Sequence, residues 1–273
     1  AGLSGPARAT AGSVRDYVLG LSMVNGRAEH LIFGGQVMKN VAGYDVSRVM
    51  AGSLGTLGLI TEVSLKVLPF APAEATLRFR LDEAEAIRCL NTWAGDPLPL
   101  NASSWVIDAG EPVLYLRLRG AVAAVEAASQ RLVREGAGER VDSPQTRADW
   151  DAARDLRLPW FTEGLARGDD LWRLSVPQTT PPLGVGDTLV DWLGAQRWGF
   201  APSGDVAAAA RLRTAASRAR GSATLFIASQ ADSTGVGGRF DPLTPPLDRI
   251  HRQLKQAFDP AGIFNRGRLV AGL

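Results

Sequence analysis

The chain has 273 residues, of which 45% are hydrophobic, and 30 lysines and arginines against 28 aspartates and glutamates give a formal net charge of +2. Because the arginines are scattered and the net charge is small, nucleic acid is not implied as a partner. The single cysteine, Cys89, excludes an internal disulfide and a zinc or iron–sulfur site held by cysteines of this chain alone, which favours a reducing compartment. No apolar run is long enough to span a bilayer, so we expect membrane contact only through partners.

The N-terminal segment AGLSGPARAT begins with Ala1 rather than Met and carries no apolar pattern of its own. It indicates a fragment or a processed chain. Residues 12–33 then predict a β-hairpin, because two apolar runs are separated by Asn25-Gly26, the strongest short hairpin signal.

Residues 34–69 form a glycine-rich stretch around which the rest of the chain is arranged. Within it, residues 44–51 predict one or two helical turns with Asp45 near the start. Residues 57–68 predict one long strand with one face in the core and a mixed opposite face. Glycine lets another backbone or a ligand approach closely. The stretch therefore fits either a cradle for a flat or phosphorylated cofactor or a set of turns between short strands. The glycines that lead into this strand are Gly34, Gly35, Gly43, Gly52, Gly55 and Gly58.

The pattern changes after the hinge at Pro69 to Pro72, where a second domain is predicted. Its order is strand, helix, strand, strand, helix, which is the order of a split βαβ, ferredoxin-like half. The predicted elements are a strand around residues 77–81, a helix over 86–94 capped by Asp82, strands at 103–108 and 112–119, and a helix from Val122.

Residues 141–182 are less regular, with tryptophans as packing anchors, although a strand is predicted at 170–176. Further strands are predicted at 188–192, 196–200 and 222–228, with an alanine-rich helix at 205–219. The arginines of that helix spread around it and predict a solvated surface rather than a polyanion site; they are Arg211, Arg213, Arg218 and Arg220. A glycine-rich loop at 233–238 precedes the last helix.

The last helix presents an apolar stripe through Leu254 and Phe258 and is predicted to stop at Asp259-Pro260. A tight turn then presents residues 265–268, Asn-Arg-Gly-Arg. Polar groups held in a turn after a docked helix suit either ligand contact or an ordinary C-terminal anchor.

The sequence lacks the motifs of several common binding and catalytic sites. There is no G-x-G-x-x-G dinucleotide fingerprint, no G-x-x-x-x-G-K-[ST] phosphate loop and no G-x-S-x-G nucleophile elbow. His30 and His251 are the only histidines, and neither has a second histidine at metal-ligand spacing, so no metal is predicted. No nucleophile or general base stands out, and catalytic residues stay unassigned.

Four motifs, in this order along the chain, resemble those of a known protein family. They are GSVRDYVLG, the GGQVMKNVAGYD run at 34–45, GSLGTLGLITEVSLKVLP at 52–69, and FDPAGIFNRGR at 258–268. Together they resemble the FAD-binding flavoproteins of the vanillyl-alcohol oxidase and p-cresol methylhydroxylase (PCMH) superfamily. The whole chain, including LWRLSVP and DWLGAQRW, is most similar to the family of FAD-binding E subunits of bacterial glycolate oxidase, also called glycolate dehydrogenase.

The resemblance implies an α+β fold: the second subdomain of a PCMH-type FAD-binding domain at residues 1–70, an inserted α+β cap with an antiparallel sheet at 71–242, and a C-terminal helix and tail at 243–273 that return to the FAD domain. It also implies a set of cofactor-binding residues. Those along the FAD pyrophosphate and adenosine would be Gly12, Ser13, Asp16, Gly52, Ser53, Gly58, Leu59 and Ile60. Asn265 and Arg268 would approach the flavin.

Three departures from the family pattern bear on function. Family members carry, before the segment that matches Ala1, a further subdomain whose glycine loop wraps the pyrophosphate, so this polypeptide is expected to bind FAD weakly or not at all. The family tail usually reads Asn-Pro-Gly-Arg, where this chain has Arg266 at the second position. Relatives that oxidise 2-hydroxy acids themselves tend to carry cap histidines, and none is found here.

The resemblance therefore implies an FAD-binding subunit of a glycolate-oxidising enzyme, which converts glycolate to glyoxylate and passes electrons through partners. Those partners would be a catalytic FAD subunit and an iron–sulfur subunit, with a small 2-hydroxy acid as substrate. The location would be cytoplasmic or peripheral at the inner membrane through the complex. Two alternatives stay open: a non-catalytic assembly subunit that kept the fold, and a different FAD-linked 2-hydroxy-acid dehydrogenase acting alone.

Overall fold

The computed structural model describes residues 3–35, 44–230, 238–270 and 272. The chain divides into two units. The first contains residues 1–4, 12–69 and 242–273, and the second contains residues 5–11 and 70–241. Most of the GGQVMKNVAGYD run and of the predicted loop at 233–238 lies outside the described residues, so those two predictions have no structural counterpart here.

The first unit is built on a three-stranded antiparallel sheet in the order β2-β1-β3. Its elements are α2 (Val14–Tyr17), β1 (Val18–Val24), β2 (His30–Gly34), α3 (Val46–Met50), β3 (Leu59–Leu65) and α9 (Leu247–Phe258). Leu21, Met23, Met50 and Leu57 form its small core, against which Leu254 and Phe258 of α9 pack.

The hairpin of β1 and β2 confirms the prediction for residues 12–33, but its connection is longer than a two-residue turn. Asn25 Oδ1 accepts hydrogen bonds from the N–H groups of Arg27 (2.9 Å) and Glu29 (3.0 Å). The asparagine side chain thereby replaces backbone bonds that the loop lacks, as this residue type often does in turns. The predicted cap of α3 is confirmed, since Asp45 accepts from the N–H of Arg48 at 3.3 Å.

The prediction of a core face on residues 57–68 is wrong. The strand β3 covers only Leu59–Leu65, and every residue in it is exposed except the half-buried Ser64. The strand pairs with β1 at the edge of the sheet, but the core of this unit includes none of its residues. Alternation in the sequence indicates an extended chain, but it does not say whether anything covers either face.

The second unit is organised by an eight-stranded sheet in the order β11-β8-β10-β9-β5-β6-β4-β7. Its strands are β4 (Ala73–Arg80), β5 (Leu100–Asp108), β6 (Glu111–Gly120), β7 (Glu139–Arg140), β8 (Asp169–Ser175), β9 (Thr188–Asp191), β10 (Gln196–Pro202) and β11 (Ser222–Ile227). Its helices are α1 (Arg8–Ala11), α4 (Glu83–Ala94), α5 (Val122–Gly136), α6 (Pro144–Arg154), α7 (Pro159–Ala166) and α8 (Val206–Arg218).

The predicted ferredoxin-like half is confirmed by the strand order β7-β4-β6-β5, with α4 and α5 as its helices. The strands β8 to β11 repeat the same spatial order, and the two halves join where β5 pairs with β9 through Ser104↔Asp191 and Trp105↔Val190. In β4, Leu77 and Phe79 face the core under α4 and α5, so Thr76 and Arg78 face the opposite side of the sheet.

Two predictions for this unit are wrong. Residues 144–154 and 159–166 are helical rather than irregular. The helix α6 is docked through Trp150, which is buried and whose Nε1 donates to Thr76 Oγ1 at 3.0 Å. Arg213 is not a solvated surface charge. Its guanidinium lies over the buried ring of Trp172, 5.0 Å from the centroid, and pairs with Asp241.

Candidate functional site

The glycine loop (residues 52–58) and the tail turn (residues 259–268) meet in the first unit. The Asn265 side chain donates from Nδ2 to the carbonyl oxygen of Leu54 at 2.6 Å. Gly55 lies beside this contact with φ +69°, and a Cβ there would lie 2.9 Å from Asn265 Nδ2. A left-handed backbone and a close approach both require glycine at this position. The predicted tail contact with the glycine-rich stretch is therefore made through residues 54, 55 and 265.

A buried ion pair holds the tail turn against the glycine loop. Lys255 Nζ, on the last turn of α9, donates to Asp259 Oδ2, to the carbonyl of Thr56 and to the carbonyl of Phe264, each at 2.7 Å. Both charged side chains are buried. The three acceptors satisfy all three donors of the ammonium group, which is the condition for a buried lysine to be tolerated.

Asp259 organises the tail turn itself. Its carboxylate accepts from the N–H groups of Ile263 (2.9 Å) and Phe264 (2.8 Å) as well as from Lys255. Burial by itself would raise the pKa of Asp259, but these hydrogen bonds outweigh it and the pKa lies below its ordinary value of 3.8. The carboxylate is therefore ionised across the neutral range.

Sequence reasoning interpreted Asp259-Pro260 only as a helix stop and did not single out Lys255. A signal was present: Lys255 follows Leu254 on the apolar stripe of α9 and stands four residues before an aspartate. A lysine at a core-facing position with a carboxylate one turn away indicates a buried pair rather than a solvated charge.

The hairpin loop also contacts the tail. The N–H of Gly26 donates to the carbonyl of Phe258 at 2.8 Å, and a Cβ on Gly26 would lie 2.7 Å from Asp259 Cα. The Asn25-Gly26 signal therefore has a second role in the fold, since the glycine permits the tail to pack directly on the hairpin backbone.

The predicted residues Gly52, Ser53 and Gly58 all lie in the glycine loop. Ser53 is buried and its carbonyl accepts from Thr56 Oγ1 at 2.8 Å. Gly58 is buried against β1, where a Cβ would lie 2.6 Å from the carbonyl oxygen of Val24. Packing alone thus explains the glycine at position 58. Leu59 and Ile60, which begin β3, are exposed at 59% and 44%.

The predicted residues Gly12, Ser13 and Asp16 form a turn of their own before β1. Asp16 Oδ2 accepts from the Ser13 N–H at 2.7 Å and from Ser13 Oγ at 2.8 Å. The backbone hydrogen bond from Ser13 is the main reason that the pKa of Asp16 lies below its ordinary value. Gly12 has φ +93°, a conformation that explains why glycine occupies this position.

The structure does not bring this turn to the glycine loop. The first residue of β1, Val18, pairs with Leu65, and its last residue, Val24, pairs with Leu59. Six residues of strand at roughly 3.3 Å each separate the two ends by about 20 Å. The residues predicted along one cofactor thus occupy both ends of the β1–β3 pair, and only an extended ligand contacts both.

Arg268 completes the predicted set at the end of the tail turn. Its N–H donates to the carbonyl of Asn265 at 3.2 Å, and its side chain is exposed without an ion pair to any residue that the structure describes. A guanidinium free of a protein carboxylate is available to an anionic ligand.

The backbone of the glycine loop has the conformation and the free N–H groups that a phosphate-bearing cofactor requires. Positive φ angles occur at Gly52 (91°), Leu54 (52°) and Gly55 (69°). Within the described part of the chain, the N–H groups of Leu54 and Gly55 donate to no backbone or side-chain acceptor. Consecutive amides in such a conformation form an anion-binding concavity that needs no cationic side chain. The residues present therefore fit a pyrophosphate-containing group such as FAD.

Other site types find no support among the described residues. No three His, Cys, Asp or Glu side chains there are grouped to hold a metal ion. In the same parts of the chain, none of the helices combines the length and the apolar character that a bilayer crossing demands.

Comparison of folds defines the class of protein. No family model matches the chain. The structure of alkyldihydroxyacetonephosphate synthase superposes on 95% of this chain with a TM-score of 0.60 at 13% sequence identity, and the chain spans 55% of that structure. The fold, of helices and antiparallel sheets, is therefore similar to the fold that the motifs predicted.

Sequence comparison is more specific. The chain is 42% identical over all 273 residues to the glycolate oxidase subunit GlcE of Escherichia coli (strain K12), and it covers 70% of that relative. A segment of 66 residues, 24% of the chain, is 44% identical to 14% of the glycolate oxidase subunit GlcD of Bacillus subtilis (strain 168). The chain belongs to the GlcE family of glycolate oxidase subunits, which confirms the predicted resemblance and places it among oxidoreductases.

Proposed function

We propose that this chain is the FAD-holding subunit of a glycolate-oxidising enzyme, taking part in conversion of glycolate to glyoxylate. The observation that carries the proposal is the junction of the tail turn with the glycine loop, where the N–H groups of Leu54 and Gly55 lie unused beside Asn265. Membership of the GlcE family supports the substrate and the reaction.

In this proposal the chain's own residues bind and orient the cofactor. The amides of the glycine loop, with Gly52 and Ser53, would hold phosphate oxygens, and Arg268 would contribute positive charge from the tail. Lys255 and Asp259 would act as positioning residues, because they fix the tail turn without facing the ligand. FAD, when bound, supplies the hydride-accepting chemistry that no side chain offers.

The other predicted residues are proposed contacts at the far end of the same extended ligand. Gly12, Ser13 and Asp16 would contribute backbone groups other than the Ser13 N–H, since the N–H and the Oγ of Ser13 are already engaged by Asp16. Gly58, Leu59 and Ile60 would present the open edge of β3, whose backbone is unpaired on that side among the described strands. The unit at residues 70–241 would serve as the cap.

Both curated relatives named above are subunits of glycolate oxidase, so those proteins work in a multi-subunit enzyme. We extend this to the present chain and propose as partners a catalytic FAD subunit and an iron–sulfur subunit that accepts the electrons. Attachment to the inner membrane would then be peripheral and through those partners.

A test uses the full-length subunit purified with its partners. Flavin released by denaturation is counted per complex, and glycolate-dependent reduction of a dye is measured, for the wild type, Arg268→Ala and Asn265→Ala. The matched control is Arg252→Ala, an exposed arginine on α9 without an ion pair among the described residues. We expect the first two variants to lose bound flavin and the control to keep it.

A second candidate is an assembly subunit that retains the fold, and it is favoured by the absence of any histidine from residues 70–241. It predicts that the wild-type complex holds no flavin in this subunit and that Arg268→Ala leaves dye reduction unchanged. Either result contradicts the proposed cofactor role.

A further inference from the structure

The second unit contains a cleft of about 930 Å³ on the face of the sheet opposite α4 and α5. The strands β4, β5 and β6 line it with Arg78, Ser104 and Tyr115, and the helices α6 and α7 line it with Trp150 and Trp160. A volume of this size accommodates a small organic ligand, and aromatic walls favour one with a flat or apolar body.

The charge of this cleft is negative. Four carboxylates line it, those of Asp108, Asp149, Glu163 and Asp187, against the guanidinium of Arg78, while a second guanidinium, that of Arg117, lies 4.9 Å from the ring centroid of Trp150. Arg78 is already paired with Glu139 at 2.6 Å. Glu163 forms no ion pair within the described residues. A carboxylate ligand such as a 2-hydroxy acid would therefore be repelled, whereas a cation would be attracted.

The floor of the cleft continues into a polar row that crosses the sheet. Neighbouring strands place these residues directly opposite one another, in the order Arg78, Tyr115, Ser104, Asp191, Gln196. Three oxygen atoms of the row have no hydrogen-bond partner among the described residues: Ser104 Oγ, Asp191 Oδ1 and Gln196 Oε1. Ser104 is 5% exposed and lines the cleft, so an unpartnered buried hydroxyl borders the space.

Asp191 adds a buried negative charge behind Ser104. It is 4% exposed, and no basic residue in the described ranges pairs with it. Burial raises the pKa of Asp191 to about 6, and the surrounding polar groups, of which Trp198 Nε1 donates at 3.0 Å, offset this only in part. A buried carboxylate without a cation is costly unless a positive charge is supplied from nearby.

We propose that this cleft binds an organic cation of the amidinium or guanidinium type, with its body against the tryptophan rings and its N–H groups toward Ser104 and the acidic rim. Aromatic faces attract cations, and a planar N–H fork matches carboxylate oxygens. The same chemistry comes from two sources, a free small cation or an arginine side chain of a partner protein. The inference stands apart from the proposed cofactor role, since every residue in it belongs to the second unit.

The test compares three ligands of one shape and different charge by calorimetric titration of the full chain. Benzamidine is the cation, benzamide the neutral analogue and benzoate the anion. We expect saturable binding of benzamidine at one site, at least about tenfold weaker binding of benzamide, and none of benzoate, because one lost charge contact of about 1.4 kcal/mol is a factor of ten. Equal affinity for the three, or no saturation by benzamidine, would overturn the proposal.

Variants locate the site. The double variant Glu163→Gln and Asp187→Asn alters exposed rim residues and keeps an oxygen at position 187 to accept from Trp160 Nε1, and we expect benzamidine to bind it about tenfold more weakly because two attractive charges are removed. Glu85→Gln, an exposed acid on α4 outside the cleft, serves as control and should bind as the wild type does. An unchanged double variant would contradict the assignment.

The source of the cation is distinguished with two further probes, agmatine and an arginine residue blocked at both ends within a glycine tripeptide. Tighter binding of agmatine identifies a free small cation, and tighter binding of the tripeptide identifies a partner's arginine. If neither probe competes with benzamidine, the guanidinium class is wrong.

Discussion

Lys255 Nζ lies 2.7 Å from Asp259 Oδ2, and this buried pair joins the end of α9 to the glycine loop and to the tail turn at once. Two acceptors of the Lys255 ammonium group, Asp259 and Phe264, follow within nine residues of it, whereas the third, Thr56, is 199 residues away in the chain. The contact therefore fixes the last helix relative to the residues that we propose to hold a cofactor.

Removing one member of this pair should destabilise the first unit strongly. We expect Asp259→Asn to lower the free energy of unfolding by about 3 kcal/mol, because it leaves the Lys255 ammonium group buried without a counter-charge. Denaturant titration measures this. Asp248→Asn, on the first turn of the same helix, is the matched control and should change stability by less than about 0.5 kcal/mol.

The same ion pair makes the stability of the fold depend on pH in the acidic range. Because the pKa of Asp259 is lowered in the folded state, its contribution is present above the unfolded value of 3.8 and is lost as pH falls through the lower folded value. The wild type should therefore lose stability more steeply than Asp259→Asn in that acidic range. Parallel slopes for the two proteins would contradict the assignment.

For Asp191 we expect the opposite pH dependence of folding stability, in a higher pH range. Burial raises the pKa of Asp191 to about 6, so between 3.8 and about 6 the folded chain binds more protons than the unfolded chain and stability falls as pH rises. Between about pH 5 and about pH 7.5, we expect the unfolding free energy of the wild type to fall by about 1 kcal/mol relative to Asp191→Asn. Other titrating groups cancel in this comparison, and equal changes in the two proteins would show an ordinary aspartate pKa.

Gly58 tests whether the glycine loop is shaped by packing. A Cβ at this position would lie 2.6 Å from the carbonyl oxygen of Val24 and would also clash with the side chain of Met23. We expect Gly58→Ala to cost about 2 kcal/mol in thermal or denaturant unfolding, since the backbone of β1 cannot give way cheaply. Gly35→Ala, where no atom lies within 4 Å of the added methyl group, should stay within about 0.5 kcal/mol of the wild type.

A substitution of Arg213 tests whether this half-buried arginine of the second unit stabilises the fold. Its NH1 lies 2.5 Å from Asp241 Oδ1, its NH2 donates to the carbonyl of Gly238 at 2.6 Å, and its guanidinium covers Trp172. We expect Arg213→Ala to lose about 2 kcal/mol of stability through these three contacts. Arg211→Ala, two residues earlier on α8, should be near neutral. A similar cost for both would restore the interpretation of a solvated arginine surface.

Local sequence patterns were sufficient to predict most helices and strands of the second unit. The strands β4 to β6 and β8 to β11 and the helices α4, α5 and α8 follow alternation, 3.6-residue spacing and, for α4, the cap at Asp82, all of which act within a few residues. The helix α6 has local start signals, the Ser143 cap and Pro144 in its first turn, but Trp150 is its only large apolar residue and the partner of Trp150, Thr76, is distant in sequence. A single large apolar residue gives no periodic pattern from which a helix is predicted.

For the candidate site, the sequence by itself determined which stretches matter and to which family they belong, because motif order and glycine spacing are properties of the chain. Only the tertiary structure decided how they are arranged. It joined Asn265 to the glycine loop through Lys255 and Asp259, and it placed the Ser13–Asp16 turn at the opposite end of β1. Strand register and a buried ion pair depend on residues remote in sequence, and for that reason neither could be derived from local pattern.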